Sequence, residues 1–259
     1  MILVVSFGTG NFDARKNDIE GIEKAIEKQF PGHDVHRCFT SRMVIQIIEQ
    51  REGIHMDSLQ EALEKAVQNE ITQMMIQPTH VLAGIEYRKI IDVVNTFQDR
   101  FEKLCVGLPL LSSKQDYTDL SYAIFGHTKE FIDGRTAVVL VGHGTKVEAD
   151  NVYHQLQQVL KKEKLYDYYV GTIESNPTKE DIVRTLLQKQ RYYQVVLVPL
   201  MVVVGNHVAN DIFGTESSWK RTLEDAGFKV HEVMKGLGEY PEVQDIYVKH
   251  LKEACNLMH

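Results

Sequence analysis

The chain has 259 residues, 43% of them hydrophobic and 25% charged, which suits a globular protein with enough apolar material for two cores of ordinary size. Its formal net charge of −7 argues against a nucleic-acid partner gripped through phosphates, although local basic loops could still receive a small anionic ligand. Cys38, Cys105 and Cys255 lie far apart with no CxxC spacing, which excludes a cysteine-built zinc or iron–sulfur site and fits a reducing compartment.

In chain order, the pattern opens directly on a strand, Ile2–Ser6, with no basic or long apolar leader before it. A glycine turn, Gly8-Thr9-Gly10, leads into a helix over Ala14–Gln29. A strand over Asp34–Cys38 follows, then helices over Ser41–Glu49 and Asp57–Gln68. The strand Gln73–Gln77 leads to a helix over Glu86–Gln98, the strand Cys105–Gly107 to a helix over Gln115–Phe131. The second half gives strands over Thr136–Val141, Tyr168–Gly171, Gln194–Pro199 and Val230–Val233. Its helices are expected over Glu148–Lys162, Lys179–Gln188, His207–Ala226 and Pro241–Met258. Continuous apolar runs such as Val195-Val196-Leu197-Val198 mark strands covered on both faces, and their alternation with helices marks βαβ units around a parallel sheet. The longest apolar run, Val195–Val204, is too short to cross a membrane and contains Pro199, so no membrane partner is expected and the protein is expected to be cytoplasmic.

The two halves repeat each other. Val5-Ser6-Phe7-Gly8-Thr9 matches Val141-Gly142-His143-Gly144-Thr145, and Pro78, Gly84 and Glu86 match Pro199, Gly205 and His207 at identical spacing. Phe7 then corresponds to His143 and Glu86 to His207. The paired sites are 79 residues apart in the first half and 64 in the second, and an extra segment near Arg42–His55 accounts for most of the difference. The expected architecture is α/β: two similar domains, residues 1–133 and 134–259, each a four-stranded parallel sheet flanked by helices, with a cleft between them. The C-terminal helix, although assigned to the second domain, is free to cross back and pack on the first.

His143, Glu86 and His207 all fall at strand-to-helix loops, where open α/β sheets bind ligands. His143 sits between two glycines after a buried strand and offers a nitrogen as metal ligand or proton acceptor. Asn206 is a candidate N-cap before His207, and Asp211 lies one turn beyond it, where a carboxylate could orient the imidazole. Glu86 stands at a helix start, where the dipole favours negative charge and where many glutamates only stabilise the helix. Glu174, after the strand Tyr168–Gly171, completes a His, His, Glu set suited to a first-row divalent metal with open coordination positions. His33, His36, His55, His154, His231, His250 and His259 read as surface or end-of-element residues, and His80 and His127 receive no role. The turn at Gly8 lacks both the GxGxxG pattern and the GK[ST] ending, so a nucleotide reading is weak.

With His143 and His207 placed, the chain closely resembles the anaerobic cobalt chelatases of the CbiK type, the sirohydrochlorin cobaltochelatases of the class II chelatase group. The likeness runs through Gly142-His143-Gly144-Thr145, Gly205-Asn206-His207-Val208-Ala209-Asn210-Asp211, Ser218-Trp219-Lys220 and Lys235-Gly236-Leu237-Gly238-Glu239. It implies an ATP-independent enzyme of cobalamin biosynthesis that inserts Co2+, as substrate metal, into sirohydrochlorin or precorrin-2, with no organic cofactor. His143 and His207 then act on the metal and its departing protons, Glu174 joins them as a metal ligand, and Glu86 delivers metal or takes up a second proton. The turns at Gly8, Thr9, Gly144 and Gly205 would receive macrocycle carboxylates, with Arg15, Lys16, Arg88, Lys89 and Lys146 as further candidates. Homo-oligomerisation is left open. An Fe2+ or Ni2+ chelatase of the same group, a tetrapyrrole or metal carrier without turnover, and a two-lobed small-ligand module are the competing readings.

Overall fold

A computed structural model describes residues 1–144 and 151–256. Thr145, Lys146 and Glu148 fall outside this range. The chain divides into two compact units, the first formed by Met1–Ser112 together with the segment from Gly238 onward, the second by Ser113–Leu237. This differs from a single boundary near Gly134 in that the helix before that glycine belongs with the second sheet; the C-terminal helix returns to the first unit, the packing the sequence allows.

The first unit holds β1 (Ile2–Ser6), β2 (Val35–Phe39), β3 (Gln73–Pro78) and β4 (Lys103–Val106), all parallel, in the order β2-β1-β3-β4. Its helices are α1 (Phe12–Ala14), which runs through a π-helical turn at Arg15–Ile19 into α2 (Glu20–Gln29), then α3 (Arg42–Glu52), α4 (Leu59–Gln68) and α5 (Ile85–Asn95). The second unit holds α6 (Lys114–Thr128), then β5 (Thr136–Gly142), α7 (Asn151–Lys162), β6 (Tyr168–Thr172), α8 (Lys179–Lys189), β7 (Gln194–Pro199), α9 (Asn206–Phe213), α10 (Trp219–Asp225) and β8 (Lys229–Glu232). Its sheet has the order β6-β5-β7-β8, again all parallel, so the two sheets share one topology. The last helix, α11 (Pro241–Asn256), packs against α2, β3 and β4 of the first unit.

The sheets form where the apolar runs predict them because both faces are covered. All five residues of β1 and all seven of β5 are buried. One core gathers Leu3, Val5, Ile76, Leu63 and Val94, the other Val139, Val141, Leu197, Ile212, Phe213 and Trp219. The single helix expected over His207–Ala226 is two. A Cβ on Gly214 would lie 2.3 Å from the Asn210 carbonyl oxygen, so the close approach that ends α9 requires glycine, and the Ser218 side chain then caps α10 by accepting from Arg221 N–H at 3.0 Å.

Candidate active site

The second unit brings two of the expected residues together. β5 ends at Gly142, and the chain turns through His143 into Gly144, whose φ of +88° is a left-handed conformation natural to glycine. The neighbouring loop after β6 is laced to this turn: Ile173 N–H donates to the Gly142 carbonyl and Glu174 N–H to the His143 carbonyl, both at 2.9 Å. A Cβ on Gly144 would meet the backbone nitrogens of Ser175 and Glu174 at 2.9 and 3.2 Å, so only glycine admits the loop this closely. His143 Nδ1 comes within 3.8 Å of a Glu174 carboxylate oxygen and within 3.3 Å of the Gly144 carbonyl oxygen. The two side chains are 57% and 53% exposed, open to a ligand.

His207 is the second residue of α9, one helix start after β7 in the same unit, and its side chain lies outside the described residues. The N-cap of α9 is Gly205, with extended backbone and no side-chain bond, rather than Asn206, which is already helical. Asp211 is exposed four residues beyond His207.

The first unit carries the same frame with different chemistry. Thr40 N–H donates to the Ser6 carbonyl at 2.9 Å and Ser41 N–H to the Phe7 carbonyl at 3.2 Å, which makes Phe7 the counterpart of His143 and Ser41 that of Glu174. Gly8 has φ +95°, matching Gly144. Gly84 caps α5 as Gly205 caps α9, and Glu86 holds the position of His207. The Glu86 carboxylate pairs with Lys89 Nζ at 2.6 Å and borders a cavity of about 390 Å³ that Arg42, Ser58 and Gln60 also line. Four large apolar side chains, Phe7, Phe12, Ile85 and Leu108, stand about half exposed in the segments that follow β1, β3 and β4. The repeat marks Phe7 as the counterpart of His143, but Phe12, Ile85 and Leu108 carry no such signal, since an isolated apolar residue in a loop or at a helix start has no period; only the sheet order gathers these segments at the carboxyl ends of the strands.

Of the cations expected to meet carboxylates, Arg15 is buried and bound to Glu52 and to the Thr9 carbonyl, and Lys89 is held by Glu86. Lys16 and Arg88 are exposed. Lys146 falls outside the described residues. Thr9 is buried, and its hydroxyl accepts from Asn11 N–H at 3.1 Å, so it serves the turn.

Two parallel four-stranded sheets of one topology, carrying imidazole and carboxylate residues on the loops and helix starts at their carboxyl ends, define a chelatase-type α/β protein. The chain matches the family described as cobalt chelatase (CbiK) over residues 1–256, and it belongs to that family. It is 34% identical over 257 residues to the sirohydrochlorin cobaltochelatase of Salmonella typhimurium, covering 99% of this chain and 96% of the relative. It is 30% identical over 260 residues to the sirohydrochlorin cobaltochelatase CbiKC of Nitratidesulfovibrio vulgaris, covering 99% and 91%. Among solved structures, SirB from Bacillus subtilis with Fe3+ shares the fold at a TM-score of 0.70 and 14% identity, with 99% of this chain and 96% of SirB covered. CbiX, the terminal enzyme of siroheme biosynthesis in denitrifying bacteria, shares it at 0.62 and 17%, with 98% of each chain covered. The protein is a metal chelatase, and no helix among its described residues is long and apolar enough to cross a membrane.

Proposed function

We propose that this chain inserts Co2+ into sirohydrochlorin, or into its precursor precorrin-2, without ATP, as part of cobalamin biosynthesis in the cytoplasm. The observation that carries the reading is the His143–Glu174 pair, held by two backbone hydrogen bonds on a glycine turn and open on its outer side. Among the described residues, the groups facing His143 Nδ1 are acceptors, the Gly144 carbonyl and the Glu174 carboxylate. They favour the proton on Nδ1 and leave the Nε2 lone pair for the metal.

Insertion requires the metal to shed water and two pyrrole N–H protons to leave. Imidazole and carboxylate donors suit Co2+ while leaving positions free for exchange. His143 and His207 hold the metal, and an imidazole accepts a proton as the metal passes to the macrocycle. Glu174 orients His143 and offers its carboxylate to the same ion. Glu86 is the carboxylate that takes up the second proton. The exposed Phe7, Phe12, Ile85 and Leu108 offer apolar contact to a macrocycle face, and the turns at Gly8 and Gly205 offer backbone N–H groups to its carboxylates, whereas the Gly144 N–H is held by the Tyr153 hydroxyl at 3.2 Å.

The test is an anaerobic spectrophotometric assay of Co2+ insertion into sirohydrochlorin. Wild type should turn over, and His143→Ala and His207→Ala should each lose about 100-fold or more in kcat while remaining folded by circular dichroism. Tight binding of sirohydrochlorin by wild type with no insertion would overturn the enzyme reading in favour of a carrier. Preferential insertion of Fe2+ or Ni2+ would reassign the metal.

A further inference from the structure

His80 lies just beyond β3, on the loop that leads to α5 and Glu86. Both of its ring nitrogens are buried, and neither meets a hydrogen-bond partner among the described residues. Nearly all buried polar side-chain atoms in folded proteins are bonded, so an imidazole left unpaired at both ends calls for a reason.

The second unit shows what packing alone puts in this place. Leu110 N–H donates to the His80 carbonyl at 2.9 Å, as Leu237 N–H donates to the Met201 carbonyl at 2.8 Å. One residue earlier, Thr79 N–H donates to the Val5 carbonyl and Leu200 N–H to the Val141 carbonyl, at 2.9 and 2.8 Å. His80 and Met201 are therefore structural equivalents. Met201 is buried among Ile212, Phe213 and Trp219, a wholly apolar use of the position. The first unit replaces that thioether with a group that can donate and accept, at the cost of leaving it unpaired.

The loop beneath the ring is held firmly. The Tyr247 hydroxyl, from α11, reaches the Thr79 and His80 carbonyls at 3.0 and 3.2 Å. Burial pushes the imidazole pKa down to about 4, and the charge that acts on it in opposition is that of Glu86. The ring is accordingly neutral near pH 7, with one N–H and one lone pair to offer. Glu86 is meanwhile turned to Lys89. A carboxylate turned to an ammonium has its lone pairs directed away from an incoming proton donor, whereas a neutral N–H can hold the same carboxylate in one direction and leave its other lone pairs open.

We infer that His80 is a positioning residue for Glu86: its buried, neutral imidazole supplies the N–H against which the Glu86 carboxylate is set when substrate displaces Lys89. The inference rests on the reading of Glu86 as the acceptor of a pyrrole proton.

The experiment is a double-mutant cycle on the full chain, read by Co2+ insertion into sirohydrochlorin, with His80→Met, His80→Gln, Glu86→Gln and His80→Met combined with Glu86→Gln. Methionine is the residue the fold already accepts at the equivalent site, so His80→Met should fold, checked by circular dichroism and the thermal midpoint. Its kcat should fall roughly 10- to 100-fold, the usual loss when the group behind a working residue is removed, with KM for sirohydrochlorin within about twofold. His80→Gln, which restores an N–H donor, should recover part of that loss. In the Glu86→Gln background, His80→Met should change kcat by less than about twofold, because the residue it serves is already disabled. A folded His80→Met with wild-type kcat, beside an impaired Glu86→Gln, overturns the role of His80 and leaves that of Glu86 standing. Wild-type kcat in Glu86→Gln overturns the role of Glu86, and that of His80 with it. Additive losses in the double variant overturn the coupling between them.

Discussion

At the end of β5 the Gly144 turn brings His143 within 3.8 Å of the Glu174 carboxylate; at the end of β1 the matching turn binds Phe7 to Ser41 through the same backbone hydrogen bond. The frame is thus indifferent to the side chains it carries, and the metal-competent pair is an addition to one copy of it. Ser41 uses its oxygen locally, accepting from Val44 N–H at 3.3 Å to cap α3. Glu174 makes no cap, since α8 begins at Thr178 with its own capping box to Asp181. A carboxylate that caps no helix among the described residues and stands beside an imidazole supports a chemical duty. Glu174→Gln keeps the size and removes the charge, so it should leave the fold unchanged and lower kcat/KM for Co2+ by about 10- to 100-fold, the typical loss for a carboxylate that orients a ligating histidine. Initial rates measured against Co2+ at saturating sirohydrochlorin would show this. An unchanged Co2+ dependence would make Glu174 a bystander. The histidines were legible as residues because glycines flank His143 and the repeat selects His207. The pairing of His143 with Glu174 was not, because it depends on β5 and β6 being neighbours in the sheet.

Among the elements, the strands were the most legible, since continuous burial leaves continuous apolar runs: Gln194–Pro199 falls where the run predicts, and β5 and β6 overrun their predictions by one residue. Helix interiors hid more. The stretch expected as one helix from Ala14 contains a π-helical turn at Arg15–Ile19, and that turn buries Arg15 against Glu52, a partner that no local pattern announces. The partner of α11 was equally hidden, because an amphipathic helix declares an apolar face without saying which sheet it covers. Its docking brings Cys255 Sγ to 2.8 Å from Cys105 Sγ on β4, closer than two unbonded sulfurs normally rest. The hydrogen bond from Cys105 lowers the Cys255 thiol pKa and raises that of Cys105, which makes Cys255 the attacking thiolate. Oxidised glutathione should therefore form a mixed disulfide at Cys255, which the Cys105 thiol then displaces, releasing two molecules of glutathione thiol in all and closing an internal disulfide. Burial pushes the Cys38 thiol up, and it should stay reduced. Closing a loop between residues 150 apart in sequence would stabilise the chain by roughly 5 kcal/mol in the chain-entropy picture, seen as a higher thermal midpoint that a reductant reverses. Peptide mapping that finds three free thiols after oxidation would refute the geometry.

The whole molecule is one unit of four parallel strands written twice, and the paired Pro, Gly and site residues made that visible at the level of sequence. What spacing could not convey is that the first unit is discontinuous, since the chain leaves it near Ser112 and returns at Gly238 with no change of composition at either place. Nor could spacing show where the two copies differ in their interiors, and there the departure of His80 from its counterpart Met201 has a consequence for the stability of the entire fold. The folded state holds the His80 pKa at about 4, against 6.5 for an unperturbed side chain. Between those values the unfolded chain takes up a proton that the folded chain refuses. Stability therefore falls as the pH drops from about 6.5 and levels off below about 4, a change on the order of 3 kcal/mol across the window and about 2 kcal/mol of it by pH 5. Carboxylates held below their usual values, such as Glu61 bonded to Ser58, also lose their contribution on acidification, but only below the ordinary carboxylate range near 4.5. Glu23, raised by burial, acts in the opposite sense. Comparing His80→Met with wild type cancels these shared effects. Urea unfolding at pH 7 and pH 5 should show wild type losing about 2 kcal/mol more than His80→Met over that interval. If both proteins lose the same amount, the imidazole is not buried and neutral in solution, and its nitrogens are bonded.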